Sequence, residues 1–399
     1  MSRQGGGAAW PWRAAALLGL GLVAFARPGL AAPFTPAGDD TVLETLTPPG
    51  DPAVRELRAL AAAQRAAPDA LAPAITYARR AVEFARRNGD PRYAGYVEAA
   101  LRPWLGRAEV PPAAAFMDAV LHQYRHDFTG ALATLDTLLA ANPDGAETRL
   151  VRATVRQVIG DIAGAAADCD EMVGRVDFLA VATCRAAALE AAGKSRPAAR
   201  TLDIALALPA PPGLRLWALT LAAEQAARRG DPVKAEARYR EALAIDREDL
   251  ALLSSYADFL LDAGRTAEAR TLLGTDTRVD AVLLRLALAA RAEGDADAAA
   301  LARIQAERFG EARLRGDASH RRDEARFNLH LQDDAPAALS LALQNWQVQR
   351  EPWDARLVLE AALAAHRPDA ALPVRDWLSA HGNDDTQLAR LGAALDGAS

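Results

Sequence analysis

Along most of this chain, small apolar residues recur in pairs twelve positions apart. The pairs are Ala119/Ala131, Ala153/Ala165, Ala186/Ala198, Ala223/Ala235, Ala257/Ala269 and Ala287/Ala299, and their first members step along the chain by 30 to 37 residues. A turn glycine sits between the members of most pairs: Gly160, Gly193, Gly230, Gly264 and Gly294. An aspartate follows it in Gly160-Asp161, Gly230-Asp231 and Gly294-Asp295, as in the earlier Gly89-Asp90. This spacing predicts antiparallel helical hairpins. Only a small side chain fits where the two helices approach most closely. Glycine ends the first helix because it takes the left-handed conformation without strain, and aspartate caps the free amides of the next. One such hairpin cannot bury its apolar face alone; stacked neighbours share a continuous core, so the pattern predicts a solenoid.

The hairpins fall at about 70–105, 113–143, 146–175, 178–208, 214–246, 249–274, 279–315, 319–349 and 352–380. Pro336 and Pro368 stand beside the last two turns, where glycine is missing. The prolines at 103, 111 and 112 interrupt the rhythm, as does the stretch Pro209–Gly213. A helix over 52–67 precedes the hairpins, and 384–395 reads as a terminal helix capping the last core face. The solenoid thus spans 52–399, with 33–51, rich in Pro, Gly, Thr and Asp, as an extended lead-in.

Residues 1–32 read as an export signal. Arg3 and Arg13 precede a thirteen-residue apolar run, Ala14–Ala26, and small-residue cleavage sites follow at Ala24-Phe25-Ala26 and at Ala31-Ala32. The run is shorter than the roughly 20 residues of a spanning helix. No twin-arginine pair precedes it and no cysteine lies near the site to take a lipid. The expected mature N-terminus follows Ala26, Ala31 or Ala32, and the expected home is an oxidising bacterial periplasm, with no integral membrane span after cleavage.

Composition narrows the function classes. The chain is 51% hydrophobic but only 6% aromatic, and Lys194 and Lys234 are its only lysines. Alanine, leucine, arginine and glutamate favour helix, and sparse valine and isoleucine argue against a large sheet. A net charge of −6 disfavours a general nucleic-acid binder. Two cysteines are too few for a disulfide scaffold or a four-thiolate zinc site. Cys169 lies in the second helix of one hairpin and Cys184 in the first helix of the next, equally far from the turn at 175–177. They therefore stand level along the axis. Helix axes about 8–10 Å apart and a Cα radius of about 2.3 Å allow Cα atoms roughly 3.5–5.5 Å apart, which suits a disulfide. An oxidising compartment would keep it; the alternative is two buried free thiols.

Candidate chemistry is thin. Gly193-Lys194-Ser195 resembles the end of a phosphate-binding loop, but the required earlier glycine is Ala188 and the segment is a hairpin turn. His122 and His126 have metal-ligand spacing, but HQYRH lacks the glutamate of HExxH, and His126 falls where other hairpins have their turn glycine. Asp295 and Asp297 suit a helix N-terminus. The run GDASHRRDEAR at 316–326 reads as a solvated helix face with internal ion pairs, although its arginines could also grip a carboxylate or phosphate. No nucleophile, base and orienting group are brought together by any motif. The expectation is a non-enzymatic protein without cofactor or metal.

A period near 34 with small residues at these offsets resembles the tetratricopeptide repeat. Around Gly230 the chain reads LTLAAEQAARRGDPVKAEARYREALAID, and Asn142-Pro143 matches the proline that commonly closes a unit. Asp246-Arg247 lacks that proline, and the large aromatic early in the first helix is mostly missing. More loosely, GDPRYAGYVEAAL and NWQVQREP make the chain resemble secreted tetratricopeptide proteins of Gram-negative bacteria, which brings no biochemical activity with it. The resemblance covers roughly residues 70–380 and implies an all-α, right-handed superhelical solenoid of about eight or nine hairpins. In that family the first helices line a concave groove. The alanine register then places Arg79, Glu83, Arg86, Arg87, Phe116, Gln123, Tyr124, Gln157, Glu190, Glu224, Arg228, Asp258, Asp262 and Arg291 at exposed groove positions, basic at the N-terminal end and acidic around Asp258. Such a gradient suits an extended segment or helix of a partner protein in one orientation. The implied function is a periplasmic protein-interaction scaffold. The alternative is an accessory of envelope polymer export or assembly that cradles a glycan or lipid-linked chain, for which Phe116 and Tyr124 offer few stacking rings.

Overall fold

The computed structural model describes residues 38, 40, 50–317 and 319–397. The export signal, its cleavage sites and most of the lead-in lie outside the described residues. The chain divides into Met1–Leu46 and Thr47–Ser399. Only residues 38 and 40 of the first unit are described, and every described helix belongs to the second.

Helix α1 (Pro52–Ala66) precedes nine hairpins. These are α2 (Leu71–Asn88) with α3 (Arg92–Leu105), α4 (Pro112–Tyr124) with α5 (Phe128–Ala141), and α6 (Ala146–Ile159) with α7 (Ile162–Glu171). Next come α8 (Phe178–Ala191) with α9 (Ser195–Leu206), α10 (Pro212–Arg228) with α11 (Pro232–Leu243), and α12 (Leu250–Asp262) with α13 (Thr266–Leu273). The last three are α14 (Asp280–Glu293) with α15 (Ala298–Leu314), α16 (Arg321–Leu331) with α17 (Ala335–Trp346), and α18 (Pro352–Ala364) with α19 (Leu372–His381). Helix α20 (Thr386–Gly397) follows. No strand occurs among the described residues. The fold is an all-helical solenoid, as the sequence pattern predicts.

The helix boundaries have local causes. Asp127, Asp161, Asp231, Asp249 and Asp334 each accept a hydrogen bond from the amide three residues on, a cap that contributes about 1 kcal/mol. Where the turn glycine is missing, His126, Asp333 and His366 take the left-handed conformation themselves. In the pairs from Ala119/Ala131 to Ala257/Ala269, all ten alanines are fully buried. The pair Ala287/Ala299 is a correction: Ala287 is buried, but Ala299 is exposed and Ala302 is buried instead. Helix α15 starts four residues after Gly294, whereas α7, α9, α11 and α13 start two residues after theirs, so its contact position slides along the chain.

Cys169 and Cys184 form a disulfide with Cα atoms 5.7 Å apart. It sits in a small apolar cluster with Ala153, Met172 and Val181. Beside it, three arginines of α6 converge on the buried carboxylate of Asp168: Arg149 at 3.4 Å, Arg152 at 2.5 Å and Arg156 at 2.8 Å.

The solenoid coils tightly enough for its second turn to abut its first. Arg87 at the end of α2 pairs with Asp246 and Glu248 just before α12. Further on, the backbone amide of Arg350 donates to the carbonyl of Val158 at 2.7 Å. Asp384 accepts from the backbone amide of Ser195 at 3.1 Å and from its hydroxyl at 2.8 Å, capping α9, which has no side-chain cap of its own. Thr386 donates its hydroxyl to the carbonyl of Arg228 at 3.0 Å, at the end of α10. The second turn thus satisfies helix ends that the first leaves open.

Gly193 lies on this seam with φ of +66°, and a Cβ there would stand 2.6 Å from the carbonyl carbon of Gly382. Gly264 has a similar φ of +71° but open space around it. Gly193→Ala is expected to lower stability by about 2 kcal/mol or more, from left-handed strain plus overpacking. Gly264→Ala should show the strain alone, about 1 kcal/mol. Equal losses for the two variants in urea denaturation would mean that the seam does not form.

Candidate functional site

The expected groove residues lie on the first helices of the hairpins, α2, α4, α6, α8, α10, α12 and α14. At the N-terminal end, Arg79 pairs with Glu147 at the surface and lies over the ring of Phe116, 5.4 Å from its centroid. Phe116, expected to be exposed, is buried. Glu83 pairs with Arg80 along α2 at 2.8 Å. Arg86 reaches Gln123 at 3.4 Å, and Tyr124 neighbours both. Gln157 donates to the carbonyl of Cys184 at 3.2 Å and so ties α6 to α8.

The middle of the inner face is a polar cluster. Arg228 holds Glu190 with two hydrogen bonds of 2.9 and 2.8 Å, and Glu224 accepts from Ser255 at 2.7 Å. Burial raises the Glu224 carboxyl above its ordinary range, with Arg228 opposing. A small cavity of about 50 Å³ lies against this cluster, between Arg228, Arg350, Trp377 and Asp385.

Farther along, the inner face closes on itself. Asp258 is buried between Arg285 at 2.5 Å and Arg326 at 2.7 Å. Its expected exposure is therefore corrected: α16 brings an arginine across the lumen to it. Asp262 pairs with Arg356 of α18 at 2.6 Å. The guanidiniums of Arg326 and Arg356 lie against the ring of Trp353, at 4.8 and 4.2 Å. Arg291 pairs with Asp333 at the surface. The charged run at 316–326 is a second correction, because Glu324 and Arg326 are buried and Arg322 holds Glu351 and Asp354.

The same register rule, continued past Ala287, would have found these partners. Arg326 and Arg356 each follow a buried alanine, Ala325 and Ala355, just as Asp258 follows Ala257. The rule stalled because the helix pair at Ala325 places its second alanine, Ala338, thirteen positions on.

The first turn keeps an open lumen. A cavity of about 410 Å³ is lined by Ala85, Arg86, Gly89, Gln123, Tyr124, His126 and Leu250. Three of the expected groove residues, Arg86, Gln123 and Tyr124, meet in it. His126, read from the sequence as a solvated turn residue, is half-buried on its wall. Its Nδ1 lies 3.4 Å from the amide nitrogen of Gln349. Burial and then Arg322 lower its pKa, so it is neutral at pH 7. His122 faces elsewhere, between Asp118 and Asp127. Among the described residues, no group of three or more His, Cys, Asp or Glu side chains could hold a metal ion. No helix there is long and apolar enough to cross a membrane.

Residues 226–291 match the tetratricopeptide repeat family. That stretch carries the tetratricopeptide repeat pattern. The matched stretch runs from the end of α10 through α14, across the Gly230 turn. Among solved structures, the APC/C hetero-tetramer Cut9-Hcn1 is similar at 12% identity with a TM-score of 0.50, over 82% of this chain and 63% of that one. The chain thus spans less than two thirds of that relative, and the likeness is one of fold. The human IFIT1 dimer with PPP-AAAA aligns at 13% identity and TM-score 0.41, over 83% of this chain and 87% of that one. The P58(IPK) TPR domain aligns at 16% identity and TM-score 0.22, over 87% and 97%. No curated protein sequence matches the chain. A tetratricopeptide scaffold suggests protein–protein interaction in general.

Proposed function

We propose that this tetratricopeptide protein is an exported, periplasmic interaction scaffold that holds a partner protein by the first helices of its N-terminal hairpins. The observation that carries this reading is the contrast between the two turns. The second turn buries Asp258 between Arg285 and Arg326. The first turn keeps Arg79 and Glu83 in exposed pairs, 47% and 63% accessible. An exposed ion pair contributes only about 0–1 kcal/mol, so a partner's charges can replace Glu147 or Arg80 at little cost. The apolar run at Ala14–Ala26 and the disulfide support export.

The test is in-cell crosslinking from the exposed position 76 of α2, repeated with charge reversal. Arg79→Glu combined with Glu83→Lys should lower partner capture by about tenfold or more, with the helical circular-dichroism signal unchanged. Undiminished capture by the reversed variant would place the partner elsewhere.

A further inference from the structure

Several arginines of the first helices hold a carboxylate, and Arg86 does not. Arg79, Arg228, Arg285, Arg326 and Arg356 each hold a carboxylate, and so does Arg87 at the seam. Arg86 has no carboxylate within ion-pair distance among the described residues, and its hydrogen bond is a 3.4 Å contact to the neutral amide oxygen of Gln123. A guanidinium has five N–H donors, so most of its capacity is unused. It is exposed at the hollow, and partial desolvation lowers its pKa, while it remains a cation at any physiological pH.

The groups beside it are donors too. The Tyr124 hydroxyl has no hydrogen-bond partner among the described residues, and enclosure raises its pKa, so it keeps its proton. His126 brings a neutral imidazole to the same wall, with Gln349 beside its Nδ1. Ala85 and Leu250 supply an apolar wall. We infer that the first-turn lumen is a binding site for a small organic monocarboxylate, with Arg86, Tyr124 and His126 holding the carboxylate and Ala85 and Leu250 facing its apolar body.

Three features select this class. The cavity of about 410 Å³ has the size of a small-molecule site. Arg86, without a carboxylate partner, offers the hollow a cation that one negative charge can pair. A dianion is disfavoured because the fields of Asp90 and Asp317 also reach Tyr124. Charge-assisted hydrogen bonds from an arginine to a carboxylate are about twice as strong as neutral ones.

Titration calorimetry on the mature chain, with benzoate, hexanoate, benzamide and inorganic phosphate as probes, tests the site. At least one of the two monocarboxylates should bind saturably, more tightly than benzamide and phosphate. Arg86→Gln should weaken that probe by about tenfold or more, and Tyr124→Phe by a few-fold, with unchanged thermal midpoints. The Tyr124→Phe variant keeps the charge and guards against a folding defect in the first. Four results would each overturn the inference: no carboxylate binding at millimolar concentration, benzamide binding as tightly, tighter phosphate binding, or full affinity in Arg86→Gln.

Discussion

Asp258→Ala should destabilise the protein by about 3–5 kcal/mol, the loss expected when one partner of a buried charge cluster is removed. The variant would strand two guanidiniums, because Arg285 and Arg326 both spend hydrogen bonds on this carboxylate, at 2.5 and 2.7 Å. Burial alone would raise the Asp258 carboxyl, but Arg285 and Arg326 together overcome it and hold it below the ordinary range. A carboxyl depressed in the folded state contributes stability above its unfolded pKa, about 3.9. That contribution is lost as the pH falls through the lower folded value. Denaturant midpoints of the wild type should therefore drop in strong acid more steeply than those of Asp258→Ala. Parallel acid profiles for the two proteins would refute the account, as would a loss below 1 kcal/mol at pH 7.

Removing the Cys169–Cys184 bridge should lower stability by about 3 kcal/mol, the chain-entropy value for a loop of 15 residues. Both cysteines are buried, so a reductant must wait for α7 and α8 to open locally. Mass measurement after unfolding and alkylation without reductant should find no modified thiol. Prior reduction should add two labels and lower the urea midpoint. Two labels without reductant would exclude the bridge.

The hairpins were legible in the sequence because their cause is local. An alanine where two helices touch, a left-handed residue at the turn and an aspartate at the next N-terminus all lie within one repeat. The pair Ala287/Ala299 failed for a local reason too, since Asp295 and Ala296 lengthen the turn before α15. The helices that carry the expected groove residues were legible, but not which of those residues stay exposed. Which inner residues stay open depends on how tightly the solenoid coils, and that is set by contacts far apart in sequence. Asp258 meets Arg326 from 68 positions away, and nothing near Asp258 announces it. The charged run at 316–326 looked solvated because its partners, Glu351 and Asp354, lie on the next hairpin.

The contact between Ser195 and Asp384 joins residues 189 positions apart. An open repeat array folds as a row of neighbours, each hairpin needing only the one beside it. In this chain hairpin α8/α9 gains its last cap only when the far end has been synthesised and has coiled back. Contacts of such long range slow folding, because loop closure must precede any gain. They also make the fourth hairpin and the C-terminal end of the row parts of one cooperative unit. Amide hydrogens at the start of α9 should therefore exchange together with those of α20, and a chain cut before Asp384 should lose protection there while the first hairpins keep theirs.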